Sequence, residues 1–177
     1  MKRDNVAKDI LHLYDLYCGR IFKFIFVLTN DYYIAQDLTY DTFMKVNNSY
    51  YQLKKQEKVE TWLFQIAHNI SINYIRRKKL NVVERIRLSS NGKEVAPSIE
   101  NTIIINEDFK ELYQALIKLK PSYREVIILR KVEELSIKET SEILGWKESK
   151  VTTTLSRALK ELQKKLEAGG YVYEQSS

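Results

Sequence analysis

The sequence predicts an all-α protein: two small helical domains joined by a flexible linker, the C-terminal one carrying a helix-turn-helix. Three observations predict it. Apolar residues recur at helical spacing, as in Ile34, Ala35, Leu38, Phe43 and Val46. Only 5 glycines and 2 prolines punctuate 177 residues, and no hairpin signal stands between alternating strands. Helical periodicity fails across NVVERIRLSSNGKEVAPSIENTIIIN (81–106), where Ser89-Ser90-Asn91-Gly92 and Ala96-Pro97-Ser98 mark a connector. Domains are therefore expected at 1–80 and 107–168, with a linker at 81–106 and a tail at 169–177.

Composition narrows the function classes. An apolar content of 44% is that of a folding protein, and a charged content of 29% that of a soluble one. No apolar run approaches the ~18–20 residues needed to cross a bilayer; the most apolar, Ile21 to Leu28, is short and contains Lys23. The N-terminus, MKRDNVAKD, leads directly into an amphipathic pattern with no signal-peptide core. A single cysteine, Cys18, excludes an internal disulfide, and no Cys/His cluster has metal-ligand spacing. A cytoplasmic protein with neither metal nor cofactor is expected. Net charge is +6, with 13 basic and 8 acidic residues in 1–80 but 13 and 12 in 107–177. That excess suits a polyanionic partner, and it sits mainly in the N-terminal half.

Four helices are expected in the first domain: about Asp4 to Tyr17, Gly19 to Leu28, Tyr32 to Ser49, and the run ETWLFQIAHNISINYIRRKK (60–79). Asn30 or Asp31 can cap the third. YYQLKKQEKVE reads as a polar, basic loop before the fourth. At 100° per residue, Leu63, Ile66, Ala67, Ile70 and Tyr74 form one stripe of that last helix. Gln65, His68, Asn69 and Arg76 lie opposite, interrupted by Ile72 and Ile75. Trp62, beside the apolar stripe, is expected in the core and His68 on the surface.

The second domain should open with a helix carrying Phe109, Leu112, Leu116 and Leu119, followed by one starting at Pro121 and running to about Glu134. Ser136 and Glu139 have capping-box spacing, and Gly145 is suited to a left-handed stop. After Trp146 and Lys147 a further helix buries Val151, Leu155, Ala158, Leu159, Leu162 and Leu166. Its opposite face presents Lys150, Thr153, Arg157, Lys160 and Lys164, flanked by Ser149, Thr154 and Ser156. Short hydroxyls can reach base edges while Lys and Arg hold phosphates, so this helix suits a DNA major groove. Lys147 stands where a capping Ser or Thr is usual, which predicts a loose first turn until DNA arrives.

Three segments in this order, DYYIAQDLTYDTFMKV (31–46), WLFQIAHNISINYIRRKK (62–79), and LKPSYREVIILRKVEELSIKETSEILG (119–145) followed by SKVTTTLSRALKEL (149–162), resemble the extracytoplasmic-function (group 4) sigma factors of bacterial RNA polymerase, of the sigma-70 family. The resemblance covers nearly the whole chain. It implies that the first domain binds the polymerase clamp and the −10 element, and the second the −35 element. By position, Gln36, Asp37, Leu38, Tyr40 and Asp41 should face core polymerase, although the family usually has Glu, Gln and Glu at 36, 40 and 41. Lys54, Lys55, Lys58, Gln65, Asn69, Asn73, Arg76 and Arg77 are implied for the −10 element. Lys147, Ser149, Lys150, Thr152, Thr153, Thr154, Ser156, Arg157 and Lys160 are implied for the −35 element. Where the family commonly has Lys or Arg, this chain has Thr152 and Thr154, which predicts weaker phosphate attraction. The resemblance also implies an anti-sigma factor, often membrane-tethered, as a partner, and no small-molecule substrate. A helix-turn-helix repressor or activator acting on duplex DNA without polymerase is the competing reading; the segments at 34–46 and 60–79 favour the sigma factor. No paired carboxylates, nucleophile elbow or Gly-rich phosphate loop suggests an enzyme.

Overall fold

The computed structural model describes residues 2–53, 58–88 and 107–168. It divides into two compact units, Met1–Asn101 and Thr102–Ser177. No strand occurs among the described residues.

Among the described residues, the first unit comprises α1 (Lys2–Thr29), α2 (Tyr32–Ser49) and α3 (Val59–Leu88), with a 3-10 turn at Tyr50–Gln52. The two helices expected on either side of Cys18 are one. Gly19 is exposed within α1, and a helical glycine costs only about 1 kcal/mol relative to alanine. Burial of Ile21, Phe24, Ile25, Val27 and Leu28 outweighs that, at roughly 1.5–3 kcal/mol per large side chain. What ends α1 is Asn30, whose φ of 53° is left-handed and whose N–H returns to the Phe26 carbonyl at 2.9 Å. Asp31 then caps α2, its carboxylate accepting from the Ile34 amide at 3.1 Å.

All three helices pack on one another around Phe24, Phe64, Ala35, Val46 and Leu63. The Phe24 and Phe64 rings meet edge to face with centroids 5.4 Å apart. The Arg20 guanidinium pairs with Glu60, tying α1 to the first turn of α3. Hydroxyls fill the remaining interior: Thr39, Thr42 and Ser71 are buried and donate to the carbonyl one turn back at 2.6, 2.7 and 2.8 Å.

The buried side of α3 is not the expected stripe. It is rotated toward Thr61, Leu63, Phe64, Ala67, His68 and Ser71, whereas Ile66, Ile70 and Tyr74 are half-buried. Ser71 goes inside with its hydroxyl satisfied one turn back, whereas His68 is buried with its Nδ1 lacking a hydrogen-bond partner, a cost that the surrounding packing must offset. His68 is thus a core residue, only 9% exposed, and not a surface one. Trp62 leaves the core in exchange: it is half-buried, on the side nearly opposite. α3 also continues through Leu88, into the segment expected as linker; 89–106 and the tail lie outside the described residues.

The second unit comprises α4 (Glu107–Leu116), α5 (Pro121–Ile127) continued by a π-helical turn (Ile128–Val132), α6 (Ile137–Leu144) and α7 (Glu148–Ala168). Pro121 occupies the first turn of α5, with Lys120 extended before it. Val126, Ile127, Ile128 and Leu129 are all buried where α5 and the π turn pack on their neighbours. Ser136 and Glu139 form the expected capping box, and Gly145, at φ 65°, stops α6. The Gly145 and Trp146 amides both return to the Ser141 carbonyl, the bonding that reverses the chain into α7.

Candidate nucleic-acid interface

α7 separates cleanly into two sides. Val151, Ala158 and Leu162 are buried, with Leu155, Leu159 and Leu166 half-buried beside them. Ser149, Thr153, Ser156 and Lys160 line the centre of the exposed side, with Lys150 and Arg157 along one edge and Thr152 along the other. Thr154 is half-buried. The helix starts immediately after the Gly145 turn, and the Lys147 carbonyl accepts from Lys150 N and Val151 N at 2.9 and 3.1 Å. The first turn is therefore formed, backbone to backbone, at a position where no hydroxyl is available. Around the turn lies an open concavity of about 640 Å³ bordered by Trp146, Lys147, Ser149, Lys150, Thr153 and Arg157.

Two members of the set have internal ties. The Lys150 ammonium lies 4.1 Å from the centroid of the Trp146 ring, a cation–π contact across the turn. The Thr152 hydroxyl donates to the Glu148 carbonyl at 3.1 Å. Beneath the helix, burial pushes the Glu125 carboxyl up to about 7, while Arg124 and Lys150 pull it back.

On α3, Gln65, Asn69, Asn73, Arg76 and Arg77 are all exposed, and so is Lys58 just before the helix. At 100° per residue, Lys58, Trp62, Gln65, Asn69, Asn73 and Arg76 fall along one line. Trp62 was missed as part of this line because its sequence neighbours Leu63 and Phe64 are apolar. Arg76 donates to the Asn73 side-chain oxygen at 2.5 Å, coupling two members of the set. Lys54 and Lys55 lie outside the described residues. His68, beside Asn69 in α3, has its pKa lowered by burial and raised somewhat by a hydrogen bond with Asn69.

On α2 the five residues implied for core polymerase divide. Gln36, Asp37, Tyr40 and Asp41 are exposed, but Leu38 is 7% exposed and belongs to the core, so it is unavailable to a partner. Its neighbours in the core are set by helical spacing: Ala35, Thr42 and Val46 share its side. In its place the structure exposes Tyr33 at 63% and Met44 at 43%, in line with Tyr40 at 64%. Their 7- and 4-residue spacing is a second apolar stripe on one helix, a signal present in the sequence and overlooked there. Tyr74 of α3 reaches this end of α2: burial first, then the charges of Asp31 and Asp37, raise its phenol pKa.

Among the described residues, no group of three or more His, Cys, Asp or Glu side chains could hold a metal ion. No helix among them is long and apolar enough to cross a membrane.

Two family models match the chain: Sigma-70 region 2 over residues 13–80 and Sigma-70, region 4 over residues 109–162. Among curated relatives, the RNA polymerase sigma factor YlaC of Bacillus subtilis is 37% identical over 167 residues, spanning 94% of this chain and 95% of that protein. The ECF RNA polymerase sigma factor SigX of the same organism is 31% identical, spanning 88% and 82%. Among solved structures, the sigma factor RpoE in complex with the anti-sigma factor NepR from Bartonella quintana has the same fold, with a TM-score of 0.75 and 24% identity over 90% of this chain and 98% of that one. CnrH in complex with the cytosolic domain of CnrY follows at 0.68 and 18%, over 92% and 90%.

Proposed function

Because the chain belongs to the extracytoplasmic-function sigma factors of the sigma-70 family, we propose that its three exposed helix faces divide the work of promoter-specific initiation. The α2 face docks on core RNA polymerase, the polar line of α3 engages the −10 element, and α7 reads the −35 element. The observation that carries this reading is the α7 face itself. Hydroxyls at Ser149, Thr153 and Ser156 are ringed by Lys150, Arg157 and Lys160, directly after a tight Gly145 turn and opposite a fully apolar side.

On α7 the short side chains let the helix approach base edges, while Arg157 and Lys160 take phosphates. With Thr152 and Thr154 where the family often has cations, more of the affinity rests on methyl and hydroxyl contacts. On α3, Gln65, Asn69 and Asn73 offer amides to unpaired base edges, Arg76 and Arg77 neutralise the backbone, and Trp62 supplies a ring for stacking. Base–aromatic stacking is worth roughly 1–3 kcal/mol per base, comparable to the roughly 1.4 kcal/mol lost per melted base-pair step. On α2, Tyr33, Tyr40 and Met44 form the apolar centre of the docking face, with Gln36, Asp37 and Asp41 as its polar rim. Lys54, Lys55 and Lys58 add phosphate attraction near the −10 strand.

The protein performs no catalysis of its own; the polymerase supplies the chemistry. It works in the cytoplasm, and an anti-sigma factor, in some settings held at the membrane, covers the same faces; that RpoE was solved in complex with the anti-sigma factor NepR supports such a partner by analogy. Run-off transcription with purified core polymerase tests the reading. A promoter should fire only when this chain is added, and Arg157→Ala should lower initiation there. Firing independent of this chain, or tight and specific binding of the free protein to duplex promoter, would overturn it.

A further inference from the structure

We propose that Arg20 is a positioning residue for the −10 element: from α1 it grips the back of the first turn of α3 and so fixes where Lys58, Trp62 and Gln65 point. The proposal rests on the assignment of the polar line of α3 to unpaired promoter DNA.

The grip is a set of contacts on one guanidinium. Arg20 is hydrogen-bonded and ion-paired to the Glu60 carboxylate in the first turn of α3. Its guanidinium carbon lies 5.6 Å from the centroid of the Phe64 ring, one turn further along α3, and 5.2 Å from that of Tyr17, one turn back on α1. Phe64 is fully buried and meets Phe24 of α1 edge to face, so that end of the grip is anchored in the core. A planar guanidinium can lie over a ring and fork to a carboxylate at once, which a lysine ammonium cannot do.

What the grip controls follows from helical geometry. Glu60 and Phe64 share one side of α3, and Trp62 falls about 160° from each. Arg20 therefore sets the rotation of the first turn from the side away from Trp62. That turn needs an outside hold, because the first N–H groups of a helix lack partners within it. The Trp62 amide reaches back to the carbonyl of Lys58, just before α3, at 3.1 Å. The Arg20 and Glu60 side chains keep 38% and 31% of their surface in water, and a pair so exposed adds little to global stability. Its weight falls on local order instead: a first turn already in place spares the bound state the ordering of Trp62 and Gln65.

The test uses the full chain bound to purified core polymerase, titrated with a fluorescein-labelled, TA-rich single strand of about 15 bases, with core polymerase alone as the baseline. Arg20→Gln should weaken strand binding about fivefold, as the competent first turn becomes a minority state. Arg20→Lys, which keeps the charge, should recover part of the loss. In the free chain, the Trp62 and Leu63 amides of Arg20→Gln should exchange with solvent about tenfold faster, while those of Ala67 and Ser71 keep wild-type rates. Full strand affinity in Arg20→Gln overturns the proposal. So does uniformly faster exchange from Trp62 to Ser71, which would make Arg20 a contributor to general stability and nothing more. Trp62→Ala combined with Gln65→Ala separates the two readings. If that pair leaves strand affinity intact, the assignment of α3 fails and the role of Arg20 with it. If it weakens binding while Arg20→Gln does not, only the role of Arg20 fails. Should Arg20→Gln not fold, Glu60→Ala must show the same local exchange and the same loss of affinity; wild-type behaviour of that variant overturns the proposal.

Discussion

Ser136 and Glu139 each satisfy the other's backbone: the Ser136 amide donates to the Glu139 carboxylate at 2.7 Å, and the Glu139 amide donates to the Ser136 hydroxyl at 3.1 Å. These bonds fix where α6 begins, and α6 packs on α7. Ser136→Ala should therefore cost about 1 kcal/mol of the C-terminal unit's stability. Neither residue is placed at a phosphate, so any fall in duplex affinity should come through looser packing, with the salt slope unchanged. Urea unfolding and anisotropy on the same variant check both halves.

The α2 face makes a contrast between neighbours. Tyr40→Ala or Met44→Ala removes an exposed group and should leave unfolding almost unchanged, within about 0.5 kcal/mol. Either should weaken binding to core polymerase by upward of about 1 kcal/mol, since both lie at the proposed centre of the docking face. Leu38→Ala should do the reverse, costing about 2–5 kcal/mol of stability because it empties a core position. Co-purification with core polymerase beside thermal unfolding distinguishes the outcomes.

These contrasts mark what the sequence could disclose. The helix-turn-helix was legible because each feature has a local cause: a reciprocal cap at Ser136, a left-handed glycine at Gly145, and an apolar stripe from Val151 to Leu162. The α3 core was not, because Thr61, His68 and Ser71 look polar to a periodicity count yet are buried. Counting them as exposed turned the apparent stripe toward Ile66 and Ile70 and drew Trp62 into it. Gly19 misled for a related reason: glycine weakens a helix locally, and tertiary packing decided the matter. Leu38 could not be sorted from Gln36 and Asp37 by family position alone, since a docking motif on a helix includes residues that hold the helix in place.

Gly19 offers a stabilising change. A Cβ built there meets nothing within 4 Å, and the residue sits inside a helix with no left-handed φ. Gly19→Ala should raise stability by about 0.5–1 kcal/mol, chiefly by restricting the unfolded chain. A higher thermal midpoint with unchanged helical signal is the expected result.

The two units should respond to pH in opposite directions. His68 is buried with its pKa held below the ordinary 6.5, so the unfolded chain takes up that proton first. Its neutral burial is fully tolerated above about pH 6.5, and stability of the N-terminal unit is lost as pH falls from there toward the folded pKa. Glu125 has a folded pKa of about 7 against an ordinary 4.5, so its protonated form is the one the fold prefers. The C-terminal unit should therefore lose stability as pH rises through 7. Trp62 and Trp146 make the comparison direct, since one tryptophan lies in each unit. With Trp146→Phe, urea unfolding followed by Trp62 fluorescence should show a lower midpoint at pH 5.5 than at pH 7.5. With Trp62→Phe, the Trp146 signal should show the higher midpoint at the acid value. His68→Gln should flatten the first profile and Glu125→Gln the second; equal slopes in the variants and their parents would assign the pH response to other groups.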